Sequence, residues 1–473
     1  MTKGFEESLS LFKDKISDCI KSQKSISITT HIDCDGLTSG SIIAKALIRE
    51  GANCTLRTSK EFSKDIVESF KTDSRDFHIV TDLGGGFVKD LNQTLGDDWI
   101  VLDHHQISEE EKDNQNVINA WKYGMDGGSE ICAGGMAYLA AMSLDEKNSD
   151  LSEIAVVSAL GDRQDQGDRK SFTGKNFEIA NTAKELGLVE MDLDLLLVGR
   201  ETRPLAEAIA FTSQPFIEGL TWNKETCLSI LKSSGIKLKE EGRWRVPAEL
   251  NEEEKKLVIK TITDFSPDKN TTEVMSELIG YTYTFPKEDK RSFLRDGREY
   301  STMLNSCGRI NRSGVGMAIC MGDRNQVLSE GEGILTDYRK KIKEYMNILS
   351  NERWRLSENE NYIMVNGEDI VPETMTGTIS SLIAGSPKNI GKIIILRTRG
   401  EANTIKFSSR KSFGCKSEIN LSELMRTAAE KFDGIGGGHN AAAGAKITKD
   451  KLDEFLKYLE LNVVNVSSSS DHQ

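Results

Sequence analysis

Short apolar runs alternate with longer amphipathic segments over the first 160 residues of the chain. The runs 25–30, 77–81 and 98–102 predict buried strands, because each is short, apolar and bounded by polar or turn-forming residues. Helical patterns cover residues 38–49 and 133–142. Strands that alternate with helices predict an α/β fold with a doubly wound parallel sheet.

The pattern changes twice further along the chain. Helical periodicity dominates residues 186–335, where Asn251 and Glu254 have the spacing of a capping box. The last region mixes strands, helices and a glycine-rich turn at residues 434–438. The predicted domains are 1–185, a doubly wound α/β domain; 186–335, a mainly helical insertion that returns to that core; 336–349, a linker helix; 350–466, a smaller α/β domain separated from the first by a cleft; and 467–473, a disordered tail.

Charge and composition restrict the classes of function. Lys and Arg number 61 against 74 Asp and Glu, and this net charge of −13 argues against a histone-like nucleic-acid coat. Residues 385–450 nevertheless hold twelve basic and six acidic residues, a local excess of six positive charges. Eight scattered cysteines without C-x-x-C spacing favour a reducing cytoplasm. The longest uncharged apolar stretch, 131–144, is too short to span a bilayer, so no membrane partner is expected.

Acidic and histidine side chains follow the predicted strands at the point where each strand ends. One more follows the run 154–160, which is apolar enough to be a further central element of the sheet and is expected to end at the same sheet edge. Those side chains are His31, Asp33, Asp35, Asp82, Asp103, His104, His105 and Asp162. The carboxyl ends of parallel strands form one crevice, so these groups should converge. Crowded carboxylates repel one another unless they bind protons or cations, and mixed imidazole and carboxylate ligands suit Mn²⁺, with Mg²⁺ or Zn²⁺ as alternatives. A single pair of such residues is more often surface or capping chemistry, but three of the six histidines fall at these strand ends.

The triplet Asp103-His104-His105 resembles the motif of the DHH phosphoesterase superfamily. The segment GIGGGHNAAAG at 434–444, with KFSSR at 406–410, resembles the associated DHHA1 domain and indicates the RecJ branch. The segments ALGDRQD, GRETRPLA and MLNSCGRINRSGVGMAICMGD are similar to archaeal RecJ proteins, including the GINS-associated nuclease. The resemblance identifies residues 1–185 as a DHH domain and 350–466 as a substrate-binding DHHA1 domain.

The resemblance implies a role for each polar residue. His31, Asp33 and Asp82 would hold one metal ion, and Asp35, Asp82, His104 and Asp162 would hold the other. His105 would be catalytic, orienting ligands or the scissile phosphate, with Asp103 fixing its tautomer. Cys34 departs from the bacterial pattern and is expected to pack rather than to bind metal.

The same resemblance implies that Arg410 and His439 clasp a substrate phosphate. Independently, the glycines at 434–438 would let the backbone approach a phosphate closely. The predicted substrate-binding residues are Arg309, Ser409, Arg410, Gly436, Gly437, Gly438 and His439. Two aromatic residues, Phe407 and Trp354, could stack on bases but are expected in the core.

We therefore expect a cytoplasmic, two-metal exonuclease that hydrolyses single-stranded DNA, with RNA as an alternative substrate, during replication or repair. One alternative is a structural subunit of the archaeal replicative helicase complex that binds GINS. Another is a small-substrate phosphoesterase that cleaves oligoribonucleotides. The sequence leaves the polarity of digestion and the choice between DNA and RNA open, since no motif reads the 2′-hydroxyl.

Overall fold

The computed structural model describes residues 3–107, 109–265 and 271–464. The chain forms two compact units, Met1–Leu335 and Thr336–Gln473, and each is described by itself. The predicted disordered tail, 467–473, lies outside the described residues.

The first unit begins with an α/β fold. Its strands are β1 (Ser25–His31), β2 (Asn53–Ser59), β3 (Phe77–Thr81), β4 (Trp99–Asp103) and β5 (Val117–Asn119). Its helices are α1 (Lys3–Lys21), α2 (Cys34–Arg49), α3 (Lys64–Phe70), α4 (Val88–Leu95), α5 (Glu109–Lys112), α6 (Ala133–Leu144), α7 (Ser152–Gly161) and α8 (Gly174–Glu185). The strand order is β2-β1-β3-β4-β5 with every neighbouring pair parallel, which confirms the predicted sheet.

Burial explains why the central strands form where they do. Every residue of β3 and β4 is buried, since helices cover both faces of the sheet. On one face, Val67 and Leu91 of α3 and α4 pack on Trp99 and Val101 of β4. On the other face, α2 packs on β1 and β2. The strand order reverses between β1 and β3, which is the position where sheets of this order bind ligands.

The apolar run 154–160 corrects one expectation. It lies in α7, a helix that packs against α2 and α6, and it contributes no strand to the sheet. Because α7 is apolar nearly all round, it lacks the periodicity that identifies a surface helix. Asp162, which follows α7, is therefore delivered by the end of a buried helix.

The inserted region is mainly helical, as predicted, and has its own hydrophobic core around Leu205, Leu220 and Val258. Its elements, with those that return to the first core, are β6 (Glu190–Leu195), α9 (Leu205–Phe211), α10 (Lys224–Ser233), β7 (Lys239–Glu240), β8 (Arg243–Trp244), α11 (Glu252–Phe265), α12 (Thr271–Leu278), β9 (Ile279–Thr284), α13 (Gly297–Arg309), α14 (Ser313–Met321) and α15 (Gln326–Asn351). The capping box is confirmed, because Asn251 Oδ1 accepts from Glu254 N at 2.9 Å and Glu254 Oε2 accepts from Asn251 N at 3.0 Å.

The second unit contains a mixed six-stranded sheet. Its elements after α15 are β10 (Leu356–Glu358), β11 (Tyr362–Asn366), α16 (Thr376–Ala384), β12 (Ile393–Arg399), β13 (Thr404–Lys411), α17 (Leu421–Lys431), β14 (Ile435–His439), β15 (Ala442–Thr448) and α18 (Leu452–Val464). The strand order is β10-β11-β12-β13-β15-β14, with α17 and α18 packed on one face and α16 on the other. The predicted glycine-rich turn is wrong, since those glycines form the edge strand β14.

Within the described part of the chain, no helix has both the length and the apolar character needed to cross a membrane.

Candidate metal centre

His104 occupies the middle of the polar cluster at the carboxyl end of the sheet. Its Nδ1–H donates to the carbonyl oxygen of Gly127 at 2.6 Å, and since a carbonyl can only accept, Nδ1 carries the proton. The other ring nitrogen, Nε2, lies 3.3 Å from Asp35 Oδ2 and 3.3 Å from Asp82 Oδ1. This arrangement leaves Nε2 as the atom that can bind a metal ion, with a carboxylate on either side.

Asp35 is buried and held from both sides of its carboxylate. The amides of Ala133 and Gly134, at the start of α6, each donate to one of its oxygens at 2.9 Å, and Ser158 Oγ donates to Oδ1. Burial and the neighbouring Asp82 carboxylate raise the pKa of Asp35 to about 7. The helix amides orient the group, while the crowding makes its negative charge costly without a cation.

Asp82 joins the two halves of the cluster. Its backbone has a φ of 60°, a left-handed conformation that is strained for a residue with a side chain. Its Oδ1 faces His104, whereas its Oδ2 lies 3.6 Å from His31 Nδ1. Asp33 completes the second half, because Oδ1 caps α2 by accepting from Gly36 N at 3.1 Å and Oδ2 lies 3.0 Å from His31 Nδ1.

Asp162 is held by a glutamine that the sequence did not single out. Asp162 Oδ2 accepts from Gln164 Nε2 at 2.7 Å, and the same Nε2 donates to Gly127 O at 2.8 Å. Gln164 Oε1 in turn accepts from Asn176 Nδ2 at 2.5 Å, and Gln164 is fully buried. Gln164 therefore contacts both Asp162 and the carbonyl group that orients His104.

Asp103 and His105 form a separate pair at the rim of the cluster. Asp103 Oδ1 accepts from His104 N at 2.8 Å and from His105 Nδ1 at 2.8 Å. Burial opposes a charge on His105, but the Asp103 carboxylate outweighs it and raises the pKa of His105 to about 9. The hydrogen bond to Asp103 fixes the His105 ring through Nδ1. Because the side chain is 55% exposed, Nε2 remains accessible.

The electrostatics of the cluster fit metal binding. Three overlapping sets of side chains have potential ligand atoms within 4.8 Å of one another, and they include all eight residues named from the sequence. Burial lowers the pKa of His31, but Asp33 and Asp82 more than compensate and raise it to about 10. Burial also lowers the pKa of His104, but the nearby carboxylates outweigh it and raise that pKa well above its usual value. Protons on these rings balance the carboxylates, and a divalent cation can take their place.

Arg309, predicted as a substrate-binding residue, acts electrostatically on Asp33 of the cluster. Burial raises the pKa of Asp33, but His31, the Gly36 amide and the Arg309 guanidinium together hold it well below its usual range. The preceding Gly308 allows the close approach, since a Cβ there would lie 1.6 Å from the Ile32 carbonyl oxygen. Arg309 thus provides a positive group beside the metal ligands.

Two neighbouring residues have other partners. Asp165, three residues beyond Asp162 in the sequence, accepts from Arg298 Nη2 at 2.7 Å. Cys34 is fully buried, with Sγ 3.6 Å from the Val157 carbonyl oxygen, which confirms that it packs.

In the second unit, Arg410 and His439 lie on one face of the sheet. Both pair in register with Ala442, on β13 and β14 respectively, and directly opposed residues of antiparallel strands point to the same face. Arg410 Nε donates to Ser381 Oγ of α16 at 3.1 Å, and His439 is exposed. A phosphate could contact both side chains from this face.

The neighbouring predicted residues divide between the two faces. Ser409 points to the opposite face, where it is buried and its Oγ donates to Ala443 O at 3.1 Å, so its expected contact with substrate is wrong. A Cβ on Gly436 would lie 2.3 Å from Met425 O of α17, so this glycine serves helix packing. A Cβ on Gly437 would meet nothing within 4 Å, which leaves that backbone open. Gly438 has a φ of 141°, a conformation that favours glycine.

Two aromatic expectations have different outcomes. Phe407 is fully buried in the core of the second unit, as predicted. Trp354 is 70% exposed, so its assignment to the core is wrong.

Three family models match the chain. The DHH family N-terminal domain covers residues 25–161, the DHH-CID domain covers 197–277, and the DHHA1 domain covers 361–465. An uncharacterized protein of Methanocaldococcus jannaschii is 30% identical over 442 residues, which cover 92% of each chain.

Solved structures share the fold. RecJ in complex with Mn²⁺ from Thermus thermophilus is 16% identical with a TM-score of 0.59, over 98% of this chain and 55% of that chain. This chain therefore spans about half the length of that RecJ. CDC45 from Entamoeba histolytica is 14% identical with a TM-score of 0.62, over 97% of this chain and 98% of that chain.

Proposed function

Because the chain belongs to the DHH/DHHA1 family as a RecJ-like member, we propose that it is a two-metal exonuclease acting on single-stranded nucleic acid. The family matches confirm the resemblance that the triplet Asp103-His104-His105 indicated. They support a metal-dependent hydrolase, and the exonuclease specificity is our proposal.

The observation that carries the proposal is the bridging position of Asp82. Its two oxygens face His104 on one side and His31 on the other, so one carboxylate can serve two ions. The proposed ligands of the first ion are His31, Asp33 and Asp82, and those of the second are Asp35, Asp82, His104 and Asp162. Two imidazoles among carboxylates favour Mn²⁺ over Mg²⁺, which prefers oxygen ligands.

When bound, such ions lower the pKa of water and stabilise the charge that develops on a phosphate during hydrolysis. The chain's own groups then position the substrate. His105, held by Asp103, presents Nε2 to a phosphate oxygen, and Arg309 adds a positive charge beside Asp33. Within the second unit, Arg410, His439 and the open backbone at Gly437 would hold a phosphate of a nucleic-acid strand.

We propose a single strand as the substrate because one segment of the second unit has a local excess of positive charge. Residues 385–450 carry an excess of six positive charges in a chain whose net charge is −13. Basic side chains that contact the phosphate backbone of a nucleic acid bind single strands with little dependence on base sequence. We propose DNA as the main substrate, with a role in replication or repair in the cytoplasm.

The test uses end-labelled single-stranded DNA, single-stranded RNA and duplex DNA, each with Mn²⁺, Mg²⁺ or a chelator. The wild-type chain should release nucleotides from single strands with Mn²⁺ and release none with the chelator. Asp82→Asn should abolish release, because it removes a charge from both sites. Asp18→Asn is the matched control, since Asp18 lies on the surface of α1 with 79% of its side chain exposed. Equal activity of Asp82→Asn and wild type would contradict the proposal.

A second candidate function is that of a subunit that binds GINS in a replicative helicase complex. It is favoured by the inserted region, which has a hydrophobic core of its own. A partner that binds the surface of this region would not need the metal ligands. Purified GINS should bind wild type and Asp82→Asn equally if this role exists. Absence of binding to the wild type would eliminate it.

A further inference from the structure

Two exposed apolar side chains lie together beside the strand that carries Arg410. Phe413 is 73% exposed and Ile390 is 52% exposed. Their segments are joined, because Gly391 N donates to the Phe413 carbonyl oxygen at 2.9 Å. A Cβ on Gly414 would lie 3.4 Å from Ile390 Cγ2, in ordinary van der Waals contact. We call Phe413 and Ile390 the stacking platform.

The loop that carries Phe413 is fixed at several points. Ser412 N donates to Lys392 O at 3.0 Å, and Ser412 Oγ accepts from Lys392 N at 2.9 Å. Lys411 Nζ donates to Ser417 O at 3.0 Å and to Asn440 Oδ1 at 2.7 Å. Because Asn440 directly follows His439, the loop is tied to the strand that carries the proposed phosphate contact. The backbone that carries the exposed ring is therefore fixed by its neighbours.

The position of the stacking platform separates it from other exposed apolar residues. Over the described residues of the second unit, the large apolar side chains that are markedly exposed are Trp354, Ile390, Phe413, Ile435 and Leu461. Arg410 and His439 lie near the end of β13 and the end of β14, and Phe413 follows three residues after Arg410. Ile435 begins β14 and so lies at the opposite end of the sheet. Three residues span at most about 11 Å, so Phe413 is within reach of a strand held at Arg410.

The charge around the stacking platform suits a polyanion. Residues 386–392 and 410–418 contain five basic residues and one acidic residue, Glu418. Lys388 and Lys416 are exposed. An exposed aromatic ring among basic side chains is the arrangement that binds the bases and the backbone of a single strand together. A protein partner with an apolar surface would gain nothing from the five positive charges.

We propose that the stacking platform binds a nucleobase of a single strand whose neighbouring phosphate is held by Arg410 and His439. The inference rests on the proposed function and adds a base-binding subsite to it. Phe413 supplies the ring face and Ile390 supports the edge of the base. Since every base has a π face, this subsite binds without sequence preference.

The experiment measures binding of a labelled single-stranded oligonucleotide to the full chain by fluorescence anisotropy, with a chelator present to prevent cleavage. Phe413→Ala should weaken binding about 5- to 150-fold, the range that corresponds to the loss of one stacked base. Phe413→Trp should retain binding. Ile435→Ala is the control, because Ile435 is 78% exposed but lies at the far end of the sheet. An oligonucleotide with an abasic stretch separates stacking from charge, since Phe413→Ala and wild type should bind it equally.

Equal binding of the base-containing oligonucleotide by wild type and Phe413→Ala would overturn the subsite while leaving the proposed nuclease function intact. An equal loss for Ile435→Ala would also overturn it, because the effect would not depend on position. A wild-type chain that binds no single strand would overturn the proposed substrate and the subsite together.

Discussion

Gln164→Met is the substitution that tests most directly how the metal ligands are held. Methionine keeps the length and volume of the side chain but removes its hydrogen bonds. Gln164 Nε2 then no longer donates to Asp162 Oδ2 at 2.7 Å or to Gly127 O at 2.8 Å. Both acceptors act on the proposed second ion, because Asp162 is one of its ligands and Gly127 O orients another, His104. The described hydrogen bonds of the Gln164 side chain do not involve His31 or Asp33, which are proposed ligands of the first ion.

The size of the effect follows from these contacts. Loss of a group that orients metal ligands reduces metal affinity by about 10- to 100-fold, or about 1.4–2.7 kcal/mol. Asn176 also loses its acceptor, and one buried unsatisfied donor costs about 1–3 kcal/mol of the free energy of unfolding. The melting temperature of the metal-free chain should therefore fall, which is a second effect independent of the metal.

Isothermal titration calorimetry with Mn²⁺ measures both the number of ions and the affinity of each. Wild type should bind two ions, and Gln164→Met should bind one with unchanged affinity and one with an affinity lowered about 10- to 100-fold. Gln166→Met is the matched control, because Gln166 lies on the same loop but its side-chain bonds are at the surface. Two unchanged affinities in Gln164→Met would refute the positioning role, and a wild type that binds fewer than two ions would refute the two-metal site itself.

Three further predictions follow from the same geometry. Asp103→Asn should lower turnover of a single strand by about 10- to 100-fold, because His105 loses the carboxylate that fixes its ring, while calorimetry still detects two ions. Mn²⁺ affinity should rise at least about tenfold per pH unit between pH 6 and 8, because an ion must displace the proton of His31, whose pKa is about 10; a flat profile in calorimetry would contradict this. Gly308→Ala should lower the thermal midpoint by forcing a Cβ to within 1.6 Å of a carbonyl oxygen, whereas Gly314→Ala, where a Cβ meets nothing within 4 Å, should leave it unchanged or raise it.

In the first unit, the sequence predicted strands β1, β3 and β4 and missed β2 and the three-residue strand β5. The runs that form β1, β3 and β4 are apolar because helices cover both faces. Strand β2 alternates exposed and partly buried residues and gives a weaker pattern. The run 154–160 was placed at the sheet edge because a short helix that is buried all round has no polar face to reveal its period.

The proposed metal ligands could be named from the sequence because their residue types are unusual directly after apolar strands. The groups that hold them could not. Gly127 contributes a backbone carbonyl, which any residue could supply, and Gln164 and Asn176 are neutral amides with no distinctive spacing. Ser409 was misplaced for a different reason, since a motif records neighbours in sequence but not the alternation of faces along a strand.

Strand β13 also restricts how this chain can change in length over evolution. Arg410 and Ser409 face opposite sides of the sheet, so insertion or deletion of one residue before them would exchange their positions. A serine would then take the place of the guanidinium, and a charged group would enter the core beside Phe407. Length variation among close relatives should therefore accumulate in the turn at residues 400–403 and be absent between Phe407 and Arg410, since a turn can absorb an extra residue without reversing the strand.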